Sequence, residues 1–163
     1  MLINAAILVV TILSMECVAY AAHRFIMHGP GWGWHESHHV PHDELLEKND
    51  LYAVAFAAAA FALLLISPIS GPLYWVGIGM SVYGLLYFVV HDGLVHRRWP
   101  FSYVPRRGYL KRLVQAHRLH HATEGRDGAV SFGFLYAPPI RRLKAELKRP
   151  GTDGDPGAGE PLR

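Results

Sequence analysis

The sequence predicts an all-α integral membrane protein. It has about three transmembrane helices, four if one further apolar segment enters the bilayer, and a cytoplasmic histidine-rich helical cap holding a dinuclear metal site. Three observations predict this. First, 51% of the 163 residues are apolar, and they are gathered in blocks. Second, all sixteen Lys and Arg residues fall on one side of those blocks. Third, ten of the eleven histidines form four tight groups on that same side: His23-x4-His28, His35-x2-His38-His39, His91-x4-His96 and His117-x2-His120-His121. Only His42 stands apart, and it reads as a surface residue.

The length fits one domain, residues 1–149, with the Gly/Pro-rich stretch 150–163 as a disordered tail. Residues 2–22 are an apolar run about as long as a bilayer crossing requires. No basic stretch precedes the run and no small-residue cleavage site follows it, so it reads as an anchor that stays. The lone Cys17 cannot form an internal disulfide and reads as a small buried side chain.

A carboxylate within an anchor is costly, which makes Glu16 a marked residue. Positions 16, 20 and 23 share a helix face, with Glu16 roughly 10 Å deeper than His23. That distance excludes direct ligation of one ion by both. Glu16 with Tyr20 is either a polar anchor between helices or part of a substrate channel.

Residues 29–50 form a polar connection in which GPGWGWH is either a tight link or a lid. A short apolar helix over 51–66, the uncharged turn SPISGP at 67–72 and a third apolar helix over 73–90 follow. Gly77, Gly79, Ser81 and Gly84 suit close helix approach in lipid. YLKRLVQAHRLHHA (109–122) reads as a helix on or near the membrane surface. VSFGFLYAPP (130–139) is apolar but too short to span, and lies at the interface or against the helices. Tyr74 and Trp75 at one end, with Trp99 and Tyr103 at the other, fit aromatic belts.

Three crossings put the end of the first helix, the start of the second and everything after the third on one side. That side holds every Lys and Arg, so the positive-inside rule makes it cytoplasmic and leaves the N-terminus outside the inner membrane. The charge count and the histidine groups agree independently. The Arg-rich stretch RRWPFSYVPRRGYLKR is either an anchor to anionic lipid or a dock for an acidic electron carrier. A basic patch pinned beside a bilayer is no nucleic-acid surface.

On a helix, i, i+3 and i+4 share a face, so each three-histidine group could point one way. The i, i+5 pairs are separated by about 140° on a regular α-helix. Either they serve two ions or the helix is distorted there. Ten imidazoles exceed one ion's needs and suit two. A closed structural zinc site would use four ligands and usually Cys, and imidazole alone does not select the metal.

HRFIMH, HESHH, HDGLVH and HRLHH closely resemble the bacterial non-haem di-iron β-carotene hydroxylases of the wider fatty-acid hydroxylase superfamily, over roughly residues 15–140. The HxxxxH and HxxHH pattern is general to that superfamily, while HDGLVHRRWP and QAHRLHHA point to the carotenoid branch. The resemblance makes residues 1–149 one membrane-embedded hydroxylase domain. It implies two irons bound by His23, His28, His35, His38, His39, His91, His96, His117, His120 and His121, with O2 as co-substrate. Electrons would come from ferredoxin or a similar donor. The implied reaction hydroxylates C3 of the β-ionone rings of β-carotene, through β-cryptoxanthin to zeaxanthin. Beyond the metal ligands no catalytic residue is implied; Asp92 either orients an imidazole or caps a helix turn. Competing readings are a hydroxylase or desaturase of a fatty acyl or sterol-like lipid, and a histidine-rich metal-binding membrane protein.

Overall fold

The computed structural model describes residues 1–40, 44, 46–98 and 103–148, and among these there is no strand. Helix α1 (Leu2–Ala21) continues into a π-helical turn (Ala22–Met27). After α2 (Trp32–His39) and α3 (Asp50–Ile66), helix α4 (Pro72–Tyr87) continues into a second π-helical stretch (Phe88–Val95). Helices α5 (Gly108–His120) and α6 (Ile140–Leu147) complete the order. The tail 150–163, His42 and Trp99 lie outside the described residues.

Among the described residues, two continuous helices have the length and apolarity of a membrane span: Leu2–Met27, 26 residues, and Pro72–Val95, 24 residues. Helix α3, with 17 residues, stands at the lower limit for crossing. Pro72 opens α4 at a first-turn position, where its missing N–H leaves no carbonyl unpaired. Helix α4 is central, packing on α1 along one side and α3 along the other. A Cβ added to Gly79 would lie 2.7 Å from Thr11 Cβ, and one on Gly77 would lie 3.1 Å from the Ala60 carbonyl oxygen. These two glycines therefore permit the two crossings. Ser81 instead bonds back to the Gly77 carbonyl at 2.8 Å, and Gly84 faces open space.

Met15, Ala19, Tyr83 and Phe134 form the core between α1, α4 and the 130–137 segment. Outward, Val9, Val10, Leu13, Phe61 and Leu65 are exposed, as lipid-facing side chains should be. Cys17 shares that exposed surface and is not buried. It falls between the inward positions Met15 and Ala19 on the turn, and a thiol is at home in lipid.

Residues 130–139 lie against the bundle without regular structure, and Glu16 explains how. Its carboxylate accepts the N–H groups of Phe134 (3.0 Å), Leu135 (3.1 Å) and Tyr136 (2.9 Å), and the Tyr83 hydroxyl at 2.7 Å. Irregular backbone beside membrane helices needs such partners, because lipid offers none. A second core of Leu113, Ala116, Val130, Ala137 and Leu143 joins α5, this segment and α6.

Candidate metal centre

Each two-histidine group lies where a transmembrane helix turns from α to π. The His28 N–H bonds the His23 carbonyl at 3.0 Å and the His96 N–H bonds the His91 carbonyl at 2.9 Å, both i to i+5. A π turn is wider than an α turn and sets residue i+5 nearly above residue i. The rings of His23 and His28 come to 5.2 Å and those of His91 and His96 to 4.5 Å. The distortion brings each pair to one place.

The three-histidine groups do not each point one way. His23, His28, His35 and His120 converge, as do His38, His96, His117 and His121, with the ring nitrogens of each set within 4.8 Å of one another. His39 Nε2 joins the first set 3.3 Å from His35 Nε2, and His91 Nε2 joins the second 3.1 Å from His38 Nε2. The result is an exchange between halves of the chain. Each half gives a pair and the i, i+4 members of its triplet to one group, and sends the middle histidine, His38 or His120, to the other. A shared helix face does not send all three one way, because i+3 and i+4 straddle a seam between two facing groups. The two groups adjoin, with the rings of His39 and His121 4.5 Å apart.

The outer nitrogens decide the tautomers. In the first group every Nδ1 faces an acceptor: the carbonyls of Phe132 (His23, 2.9 Å), Arg126 (His28, 2.7 Å), Thr123 (His39, 2.9 Å) and Val130 (His120, 3.0 Å), and Asn49 Oδ1 (His35, 2.7 Å). A carbonyl only accepts, so Nδ1 carries the proton and Nε2 is bare. Bare Nε2 atoms nonetheless approach to 3.0 Å between His23 and His35, and 3.1 Å between His28 and His120. Lone pairs meeting without a proton are repulsive unless a cation lies between them. In the second group Glu47 holds His38 Nδ1 at 3.0 Å and Asp92 holds His91 Nδ1 at 2.7 Å. Burial pushes His35 down to about 3 and His39 to about 4, and holds His38, His117 and His120 well below the ordinary imidazole value. All are neutral at pH 7, the form that binds metal. Donor type, tautomer and convergence all fit a metal pair.

Aromatic rings seal the groups. Phe134 stacks on His23 at 4.9 Å, and Trp32 packs on His28 and His39 at 5.3 and 5.2 Å. This makes GPGWGWH a tight link: the Tyr52 hydroxyl bonds the Gly31 carbonyl at 2.8 Å, and a Cβ on Gly31 would collide with that hydroxyl. Arg98, read with the surface stretch, instead turns inward. It grips Asp50 at 2.7 and 2.8 Å and reaches Glu47 (3.4 Å) and Asp92 (3.7 Å), the two carboxylates that hold histidines. Glu47, Asn49 and the 123–132 carbonyls went unseen in the sequence. An acidic and an amide residue just before an apolar helix were the one available signal.

Two cavities flank α1. One of about 620 Å³, almost wholly apolar, lies between α1, α3 and α4 and ends at Tyr87, Asp92 and Phe134. The other, about 1280 Å³ and much more polar, lies on an adjoining face of α1, where Glu16, Tyr20, Arg24 and Arg126 line it. Tyr20 there accepts from Arg24 at 2.9 Å, and Glu16 is engaged with the 134–136 backbone.

Apolar spans capped by ten buried or half-buried imidazoles in two facing sets define the class: an integral membrane protein with a histidine-built metal centre. Within that class the chain belongs to the fatty acid hydroxylase family, whose model matches residues 8–137. It is 63% identical over 148 residues to a beta-carotene hydroxylase of Paracoccus sp. (strain PC1), covering 90% of this chain and 91% of that one. Against the beta-carotene hydroxylase of Pantoea ananas it is 56% identical over 163 residues, covering 96% and 93%. A chloroplastic beta-carotene 3-hydroxylase 2 of Arabidopsis thaliana is 35% identical over 131 residues, 77% of this chain and 43% of that one. No solved structure gives a significant match.

Proposed function

We propose that this protein hydroxylates C3 of the β-ionone rings of β-carotene, through β-cryptoxanthin to zeaxanthin, in carotenoid biosynthesis. One atom of O2 enters the C–H bond and the other leaves as water, with two protons and two electrons supplied from outside. The site carries the reading. Five imidazoles with bare inward nitrogens and five facing them suit two irons, with His23, His28, His35, His39 and His120 on one and His38, His91, His96, His117 and His121 on the other. Bound there, iron supplies the redox chemistry that no amino-acid side chain offers toward an unactivated C–H bond. Bacterial relatives 56–63% identical, called beta-carotene hydroxylases, support the choice of substrate.

The chain's own residues orient the imidazoles from behind and keep them dry. Asp92 and Glu47 fix the rings of His91 and His38, and backbone carbonyls fix four rings of the first group. The one-sided distribution of Lys and Arg supports an inner-membrane protein with its site on the cytoplasmic side and its N-terminus outside. The exposed cationic side chains Arg106, Arg107 and Lys111 on that side suit an acidic electron donor such as ferredoxin.

The test is pigment analysis in an iron-supplied bacterial host that accumulates β-carotene, beside a His120→Ala control. Zeaxanthin and β-cryptoxanthin with the intact chain alone are expected. Unchanged β-carotene despite iron-loaded protein in the membrane would refute the substrate.

A further inference from the structure

We propose that the apolar cavity between α1, α3 and α4 is the berth of the hydrocarbon substrate. It would receive the polyene sideways from lipid and set one end ring against Tyr87, Asp92 and Phe134, with Gly84 keeping the passage open. The proposal rests on the hydroxylase reading above and adds to it a location and a width-setting residue.

The shape follows from the helix packing. Helix α4 packs on both α1 and α3, which scarcely touch each other, and the 620 Å³ space opens between them. Four hydroxyl side chains line it, Tyr52, Ser81, Tyr83 and Tyr87, and the first three donate their protons elsewhere. Tyr52 donates to the Gly31 carbonyl at 2.8 Å, Tyr83 to Glu16 at 2.7 Å and Ser81 to the Gly77 carbonyl at 2.8 Å. A polar ligand would lose its water and find few partners along this wall, whereas a hydrocarbon loses nothing. Flat side chains such as Phe56, Tyr83 and Phe134 offer a conjugated chain faces and edges to pack on.

The cavity's one carboxylate, Asp92, stands with Tyr87 and Phe134 at the end that meets the packing layer of the histidines. Tyr87 stacks on His91 at 4.6 Å, Phe134 meets His91 edge-on at 5.3 Å, and Asp92 bonds His91. A ring seated there lies one layer from both imidazole groups. The cavity on the adjoining face of α1, with Glu16, Tyr20, Arg24 and Arg126 in its wall, is too polar for the same ligand.

Gly84 makes the berth testable. A Cβ there meets nothing within 4 Å, so a larger side chain can enter the passage without displacing a helix. It precedes His91 by seven positions, about 10 Å along the axis, and so leaves the imidazoles alone. Ala57 on α3 offers a second plug from the facing wall. Gly84→Phe, Ala57→Phe and a control, Leu86→Phe, whose position is not in the cavity wall, would be compared with wild type in the β-carotene host. Hydroxylated pigment, carotenoid retained on the purified protein and iron per chain would be measured. The plugged variants should fall at least tenfold in hydroxylation and lose retained carotenoid, with iron unchanged, while Leu86→Phe matches wild type. If Gly84→Phe fails to accumulate, Ala57→Phe decides. Plugged variants within twofold of an active wild type would overturn the berth alone, and an inactive iron-loaded wild type would overturn the functional reading beneath it.

Discussion

Removing the Glu16 carboxylate should cost the protein one metal, though the residue touches none of the imidazoles. Its oxygens accept three successive backbone N–H groups, at 134, 135 and 136, and the Tyr83 hydroxyl. Glu16→Ala orphans all four donors. At about 1–3 kcal/mol for each of the three buried donors, with Tyr136 partly wetted and left out, the loss is about 3–9 kcal/mol. The segment released carries the carbonyls of Val130 and Phe132, which hold His120 and His23, and continues the loop whose carbonyls at 123 and 126 hold His39 and His28. The second group leans on Glu47 and Asp92 instead. Iron per chain should therefore fall from two toward one, with an earlier thermal unfolding in detergent. Glu16→Gln is the sharper variant. Its one oxygen can keep the three backbone donors taken by Oε1, and its amide can donate to Tyr83, so iron content should stay close to wild type. Equal iron content in wild type and Glu16→Ala, or equal loss in Gln and Ala, would refute the reasoning.

Arg98→Ala should release Glu47, Asp50 and Asp92 together, lowering iron in the second group and hydroxylation about tenfold; Arg98→Lys should rescue poorly, because a lysine cannot grip Asp50 with two nitrogens. Unchanged iron in Arg98→Ala would count against this clamp. The metal-free protein should lose stability as pH falls below about 6.5, since the unfolded chain takes up protons there while His35 and His39, held near 3 and 4, do not. A thermal midpoint flat from pH 8 to 5 would contradict it. Gly79→Val should abolish accumulation by forcing α1 from α4, whereas Gly84→Ala, in open space, should be silent on a membrane immunoblot.

The sequence displayed the histidines plainly and their grouping hardly at all. Four histidine groups beside apolar helices announce a site, because imidazole is scarce and its spacing is visible. That His38 and His120 change sides could not be read from i, i+3 spacing, since it depends on how α2 faces α5. The i, i+5 pairs posed the right question, and only the backbone answered it, with a π turn in each span. The holders of Nδ1 were mostly invisible, because every residue carries a carbonyl and nothing marks those of Arg126 or Phe132. Glu16 was visible through the penalty of its depth, but its backbone partners lie about 120 residues away, in a segment with no regular structure. Arg98 was grouped with its basic neighbours, and only the fold separates an arginine turned inward from those left exposed.

The most direct test of the two-group centre is iron per chain in protein purified from an iron-supplied host, for wild type, His120→Ala and His117→Ala. Two irons in wild type are expected, with near one in each variant and nitrogen and oxygen neighbours but no sulfur in the X-ray absorption spectrum. A single iron in wild type, or a spectrum with sulfur ligands, would contradict a centre built from two groups of five histidines.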